Sequence, residues 1–250
     1  MDYAIKDACN VRLMRKSDSK VVLYSDYANS TNLSFTSDRI FAKAKGVNKI
    51  AFDYNRQGTF KCEFEVFELA WLSVLLGSDF TSETKELVKR EVLTVSATNT
   101  VTLASTPKTG SLAIFTLDRD LRTHLKEQTV GTPATTENTY SIATATVTFN
   151  STSCPENTKV VAYYFVDSTT PAKTISVTSN NFPINYIIYG ETEVQNTFGE
   201  MEYVQLKICN CKPKSSLEIA FATDSVTKLT AEFDLFPDEN NEMAEFTIIE

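Results

Sequence analysis

The chain has 250 residues, 24 Lys+Arg against 32 Asp+Glu for a formal net charge of -8, 42% hydrophobic residues and 22% charged ones. That apolar content supports a buried core and excludes a disordered chain. The acidic balance is wrong for a clamp that grips nucleic acid through its phosphates, and a single histidine, His124, excludes a multi-histidine metal site.

Residues 1–7 lack the basic start and apolar stretch of a secretory leader, so the expected compartment is a reducing cytoplasm. From residue 11 onward most of the chain reads with period two. Short strands are expected at 11–15, 20–24, 40–43 and 50–54. Residues 59–66 alternate strictly, placing Phe60, Cys62, Phe64 and Val66 on one face and Lys61, Glu63 and Glu65 on the other. This is the pattern of a half-buried strand with one wet side.

Residues 67–76 break the alternation. Phe67, Ala70, Trp71, Val74 and Leu75 form a helical stripe, Leu69, Leu72 and Leu76 cover a second side, and Gly77 stands where a C-terminal cap belongs. A helix apolar on two sides needs cover on both, from a sheet and from either another subunit or a loop of the same chain. The run around 69–76 contains Ser73 and is far shorter than the ~20 residues that span a bilayer.

After Val92 the composition shifts. About a quarter of residues 94–178 are Thr, charge is sparse, and turn chemistry recurs at Thr106-Pro107-Lys108-Thr109-Gly110, Gly131-Thr132-Pro133 and Ser168-Thr169-Thr170-Pro171. Strands are expected at 87–95, 101–104, 112–117, 145–149, 160–166 and 174–178. The expected organisation is one β domain made of 1–93 and 175–250, with 94–174 inserted as a small Thr-rich β subdomain, an immunoglobulin-like form being one option. In the remainder, strands are expected at 185–189, 202–211, 217–222, 228–235 and 245–249. Val204, Leu206 and Ile208 point inward from one of them; Leu229, Ala231, Phe233 and Leu235 do so from another. Turns at roughly ten-residue spacing suit a β-sandwich or barrel.

The search for chemistry finds little. There is no G-x-S-x-G, P-loop, G-x-G-x-x-G or H-E-x-x-H. His124 reads as a surface or satisfied side chain. The five cysteines, Cys9, Cys62, Cys154, Cys209 and Cys211, are odd in number and lack zinc-type pairing, so free structural thiols are expected. Cys209 and Cys211, two apart, are expected on one strand face. Asp234, Asp238 and Glu239 near Asn240 and Asn241 lack the frame of a calcium loop. Carboxylates recur two apart at Glu63/Glu65, Glu191/Glu193, Glu200/Glu202 and Glu232/Asp234, each pair on one strand face. They read as solvated faces, as acid/base pairs of a hydrolase, or as acidic walls that repel a sliding polyanion without holding it.

The run Gly58-Thr59-Phe60-Lys61-Cys62-Glu63-Phe64-Glu65-Val66-Phe67-Glu68-Leu69-Ala70-Trp71-Leu72-Ser73-Val74-Leu75-Leu76-Gly77 resembles the strand-then-helix block of bacteriophage tail tube proteins. The run Leu229-Thr230-Ala231-Glu232-Phe233-Asp234-Leu235-Phe236-Pro237-Asp238-Glu239-Asn240-Asn241-Glu242-Met243 resembles their closing hairpin, a strand ending in an acidic turn. The resemblance implies a mainly β tube subunit with one flanking helix. It implies a structural virion protein without enzymatic activity or cofactor, assembling in the host bacterial cytoplasm as stacked rings, which are usually hexamers in such proteins. The partners it implies are further copies, a sheath or terminator, a baseplate or tip, and DNA in passage, with no membrane insertion. Glu63, Glu65, Glu232 and Asp234 are the candidate lumen-facing acids. Phe67, Trp71, Val74 and Leu75 are the candidate packing or inter-subunit helix residues. A β-rich adhesin or receptor-binding module is the competing reading.

Overall fold

The strictly alternating residues Gly58 to Phe64 form the end of a strand much longer than their own pattern. The computed structural model describes residues 2–5, 7–214, 216–219, 223 and 226–249. In chain order the elements are β1 (Tyr3–Ile5), β2 (Asn10–Arg15), β3 (Val21–Ser25), β4 (Ala28–Ala44), β5 (Val47–Phe64) and α1 (Ala70–Leu76). They continue with β6 (Thr81–Glu83), β7 (Glu86–Thr94), β8 (Thr100–Thr102), β9 (Ala113–Leu117), β10 (His124–Val130), β11 (Thr139–Ala143), β12 (Thr146–Phe149), β13 (Lys159–Asp167) and β14 (Ala172–Thr174). The last are β15 (Tyr186–Asn196), β16 (Met201–Pro213), β17 (Leu229–Leu235) and β18 (Ala244–Ile249). The protein is mainly β, with α1 as the one helix among the described residues.

The chain divides into two compact units, 1–80 with 175–250, and 81–174. In the first, one sheet runs β3-β2-β15-β16-β17-β5-β4, with β1 beside β15 and β18 beside β16. Its core is laid down by cross-strand pairs. Phe60 faces Phe233, Cys62 faces Ala231 and Phe64 faces Leu229 between β5 and β17. Leu13 and Ile188 are paired between β2 and β15, and Ile188 and Ile208 between β15 and β16. These side chains are all buried. Each buried Phe, Leu or Ile among them contributes about 1.5–3 kcal/mol by leaving water.

Seven residues of helix are too few to be stable alone. α1 is held by burying Trp71, Val74 and Leu75 in this core, with the Trp71 ring 4.7 Å from Phe64 and 6.5 Å from Phe233. Gly77 ends it in the left-handed conformation, φ 67°, and donates its N–H to the Ser73 carbonyl.

The second unit has its own core, including Ile114, Tyr140, Val147, Val160, Ala162 and Tyr164. Its strands run β7-β13-β9-β10-β11-β12-β8, and the junction between β10 and β11 is a short parallel pairing of Thr129 with Thr139 and Val130 with Tyr140. The buried tyrosines are satisfied, Tyr140 donating to the Leu112 carbonyl at 2.8 Å and Tyr164 to Glu91. β6 and β14 form a separate two-stranded ribbon in this unit.

The structure alters several expectations. The unit begins at Thr81 and not at 94, because β6 pairs with β14 and β7 pairs along its whole length with β13. β5 ends at Phe64, so Glu65 lies in a bend and Val66 is 65% exposed instead of inward. The strand expected at 174–178 is limited to Thr174, the end of β14. Of the strand expected at 217–222, residues 217–219 are not extended in a sheet, and 220–222 lie outside the described residues. Cys209 and Cys211 do not share a face. A bulge between Ile208 and Cys211 keeps both of those in the core, while Cys209 packs elsewhere and donates its N–H to the Met243 carbonyl.

Candidate assembly surface

On the wet face of β17 and β5, Glu232 stands opposite Lys61, Glu63 opposite Thr230 and Asp234 opposite Thr59. Across β16, Lys212 stands opposite Asp234. The expected acidic residues therefore do gather, except that Glu65 reaches the face from the bend after β5. Lysines gather with them. Lys61 Nζ is 2.6 Å from Glu63, Lys228 is 3.3 Å from Glu65, and Lys214 bridges Glu232 and Asp234. The Lys61 hydrogen bond holds the Glu63 carboxyl below the usual carboxylate range, and Glu63 in turn raises Lys61. Glu232 likewise raises Lys214. What spacing alone shows as a mainly acidic face is a ladder of ion pairs, because Lys212 and Lys214 reach it from β16 and its end, and Lys228, just before β17, reaches across to Glu65.

The helix residues are divided. Trp71, Val74 and Leu75 lie in the core of their own chain, and Phe67 packs against it. The second apolar side is less covered: Leu69 is 50% exposed, and Leu72 and Leu76 are half-buried.

The largest exposed feature is one that the sequence pattern breaks into two short strands. β4 and β5 form a hairpin around Lys45 (φ 53°) and Gly46 (φ 81°), the two positive φ values that a type I′ turn needs. Residues 58–64 of β5 also pair with β17, but from Gln57 back to Val47 β5 pairs, among the described residues, with β4 alone. Every residue from 34 to 57 is exposed. Asp38, Ile40 and Ala42 stand opposite Tyr54, Phe52 and Ile50, so one face of this ribbon is apolar apart from Asp38. The reverse face carries the Arg39–Asp53 pair, joined at 2.5 and 3.0 Å, beside Phe41 and Ala51. Ile40, Ile50, Phe52 and Tyr54 are each more than half exposed. A two-stranded ribbon with a bare apolar face is marginal in water until something covers it. Its signal in the sequence is Ile40-x-Ala42 and Ile50-x-Phe52-x-Tyr54 about a Lys-Gly turn.

A family model matches residues 3–249. The chain belongs to the YomU/Tube protein family. That is a phage tail tube-type family, and membership makes the chain a structural component of a phage tail, assembling with other tail components. No curated protein matches the chain significantly. Among the described residues, no helix is long and apolar enough to cross a membrane.

The remaining candidates do not converge on this surface. His124 stacks on Phe115, with ring centroids 4.7 Å apart, and shares a 3.0 Å hydrogen bond with Tyr163. Asn196 donates to both Glu200 and Glu202, tying that carboxylate pair into a turn. The potential ligand atoms near Asp238 belong to Cys209 and Glu242, not to Asp234 or Glu239. Asp238 uses Oδ1 to accept the N–H groups of Asn240 and Glu242, which closes the turn. All five cysteines are free.

Proposed function

We propose that the chain is the repeating subunit of a phage tail tube, polymerising as stacked rings around a channel that conducts DNA, with a structural and not a catalytic role. The observation that carries this reading is the β4–β5 hairpin, exposed from residue 34 to 57 with Ile40, Ile50, Phe52 and Tyr54 bare on one face. A monomer gains nothing from such a ribbon; an assembly covers it. The sheet edges at β3 and β4, each with one neighbour only among the described residues, supply further joining surfaces.

The Glu63, Glu65, Glu232 and Asp234 face is the proposed channel wall. Its carboxylates alternate with Lys61, Lys212, Lys214 and Lys228. A wall of paired charges has a weak net field, so it releases few counterions from DNA and gives it little to adhere to. Carboxylate spacing alone suggests an acidic lumen; with the lysines added, the proposed wall is nearly balanced.

The test is assembly of the purified chain, followed by sedimentation velocity and negative-stain microscopy. Rings or tubes are expected from the wild type. The double variant Ile40→Ser/Phe52→Ser is expected to keep its far-ultraviolet circular dichroism and remain monomeric. A wild-type chain that is monomeric at every concentration overturns the proposal.

A further inference from the structure

Resting on the tube-subunit reading, we infer that the hairpin tip of one copy docks into an acidic cleft at the β1, β15 and β16 end of the sheet in a second copy. The hairpin between 36 and 57 carries Arg39, Lys43, Lys45, Lys49 and Arg56 against Asp38 and Asp53, in a chain whose net charge is -8. Its two acids are engaged within the hairpin, Asp53 by Arg39 and Asp38 by the Asn55 amide at 2.9 Å. Lys43, Lys45 and Lys49, around the turn, have no ion pair to a described residue.

The cleft has the opposite character. It has a volume of about 460 Å³ and is lined in part by Asp7, Glu191, Glu193, Asn10, Met201 and Tyr203. Arg12 neutralises Glu191 at 3.3 Å; Asp7 and Glu193 have no cation partner among the described residues. The cleft is also partly apolar: Met201 is 58% exposed and Tyr203 36%. The cleft thus matches the hairpin twice, carboxylates for the lysines and apolar side chains for Ile50 and Phe52.

The partner is a second copy because the same chain leaves its own hairpin bare along its whole exposed length. Two different patches meeting between copies make a heterologous contact, which propagates into rings or filaments instead of stopping at a dimer. Electrostatic complementarity of this kind fixes register and excludes wrong contacts.

The experiment uses charge reversal on the full chain. Lys43→Glu/Lys45→Glu/Lys49→Glu changes the tip, and Asp7→Lys/Glu193→Lys changes the cleft. Each variant alone is expected to raise the critical concentration for assembly by about tenfold or more. Mixing the two, or combining all five changes in one chain, is expected to restore assembly, because each reversed patch then meets its complement. Wild-type assembly is expected to weaken as salt rises, a readout that needs no variant. If the wild type assembles and either variant assembles equally well, the docking inference falls while the tube reading stands. If both variants lose assembly and neither mixing nor combination restores it, the docking inference also falls. A wild type that never assembles overturns both readings.

Discussion

Lys61 and Glu63 stand two residues apart on one face of β5, with the ammonium 2.6 Å from the carboxylate. Each shifts the other: Glu63 is held below the usual carboxylate range and Lys61 is raised, in both cases chiefly by their mutual hydrogen bond. The Glu63 contribution to stability is present above its unfolded pKa and is lost as pH falls through its lowered folded value. The Lys61 contribution is complete below its ordinary pKa and is lost as pH rises through its raised value. A carboxyl-detected magnetic resonance titration is expected to give a Glu63 midpoint below the ordinary value of about 4.3, and Lys61→Met to return it toward that value. An unchanged midpoint in the variant would assign the shift to another group.

Trp71 is fully buried between Phe64 and Phe233, whereas Leu69, two residues earlier, is half exposed. Truncating the first leaves a large void in the core. Trp71→Ala is expected to lower the unfolding free energy of its unit by about 3–5 kcal/mol in a urea titration. Leu69→Ala is expected to stay within about 0.5 kcal/mol of the wild type. Equal losses at the two positions would mean that the second side of α1 is covered as fully as the first.

The contrast between those two residues shows where sequence reading succeeds. Phe60, Cys62 and Phe64 declare their face by strict alternation, and the same is true of Ala231 and Phe233. The core of the first unit follows from such local periodicity. Gly77 is legible as a helix cap because few other residues adopt its conformation at low cost. Val66 continues the alternation but leaves the core, because the pattern cannot report where β17 stops pairing. The bulge at Cys209 is hidden for a related reason: an inserted residue alters no local propensity. Lys61 and Glu63 share their face by the same alternation, whereas the pairs of Lys214 with Glu232 and Asp234, and of Lys228 with Glu65, join different segments, which spacing does not bring together. The full hairpin escapes sequence reading because Thr36 to Ser37 and Asn55 to Gln57 are too polar to read as strand, although the two strands continue across an irregularity there, with Thr36 opposite Gln57 and Asp38 opposite Tyr54.

Gly77 also meets the chain from another direction. A Cβ built on it would lie 2.4 Å from the Phe182 carbonyl carbon and 2.6 Å from the Pro183 nitrogen, and its φ is +67°. Backbone cannot swing aside as a flexible side chain can. Gly110 has a similar φ, +77°, but open space around it. Gly110→Ala is expected to show the conformational cost alone, about 1 kcal/mol. Gly77→Ala is expected to cost clearly more than that, seen as the larger loss of unfolding free energy when each variant's own unit is followed in a urea titration. Equal losses would mean that the segment around Phe182 moves away freely.

Gly58 divides β5 into two mechanical regimes. Residues 58–64 are held between β4 and β17, and their inward side chains are buried. Among the described residues, 47–57 have β4 as their one paired neighbour, and every side chain is exposed. Opening the first region breaks two ladders and uncovers Phe60 and Phe64; opening the second breaks one ladder and uncovers nothing that is buried. Local opening free energy follows that difference. In the unassembled chain, amide hydrogens of 47–57 are expected to exchange at least about tenfold faster than those of 58–64. Assembly is expected to slow exchange selectively in 36–57, because a partner then covers the apolar face carrying Ile40, Ile50 and Phe52. Hydrogen exchange read by mass spectrometry before and after assembly separates the two regions. Protection of the hairpin already complete in the monomer would remove the argument that it needs a partner.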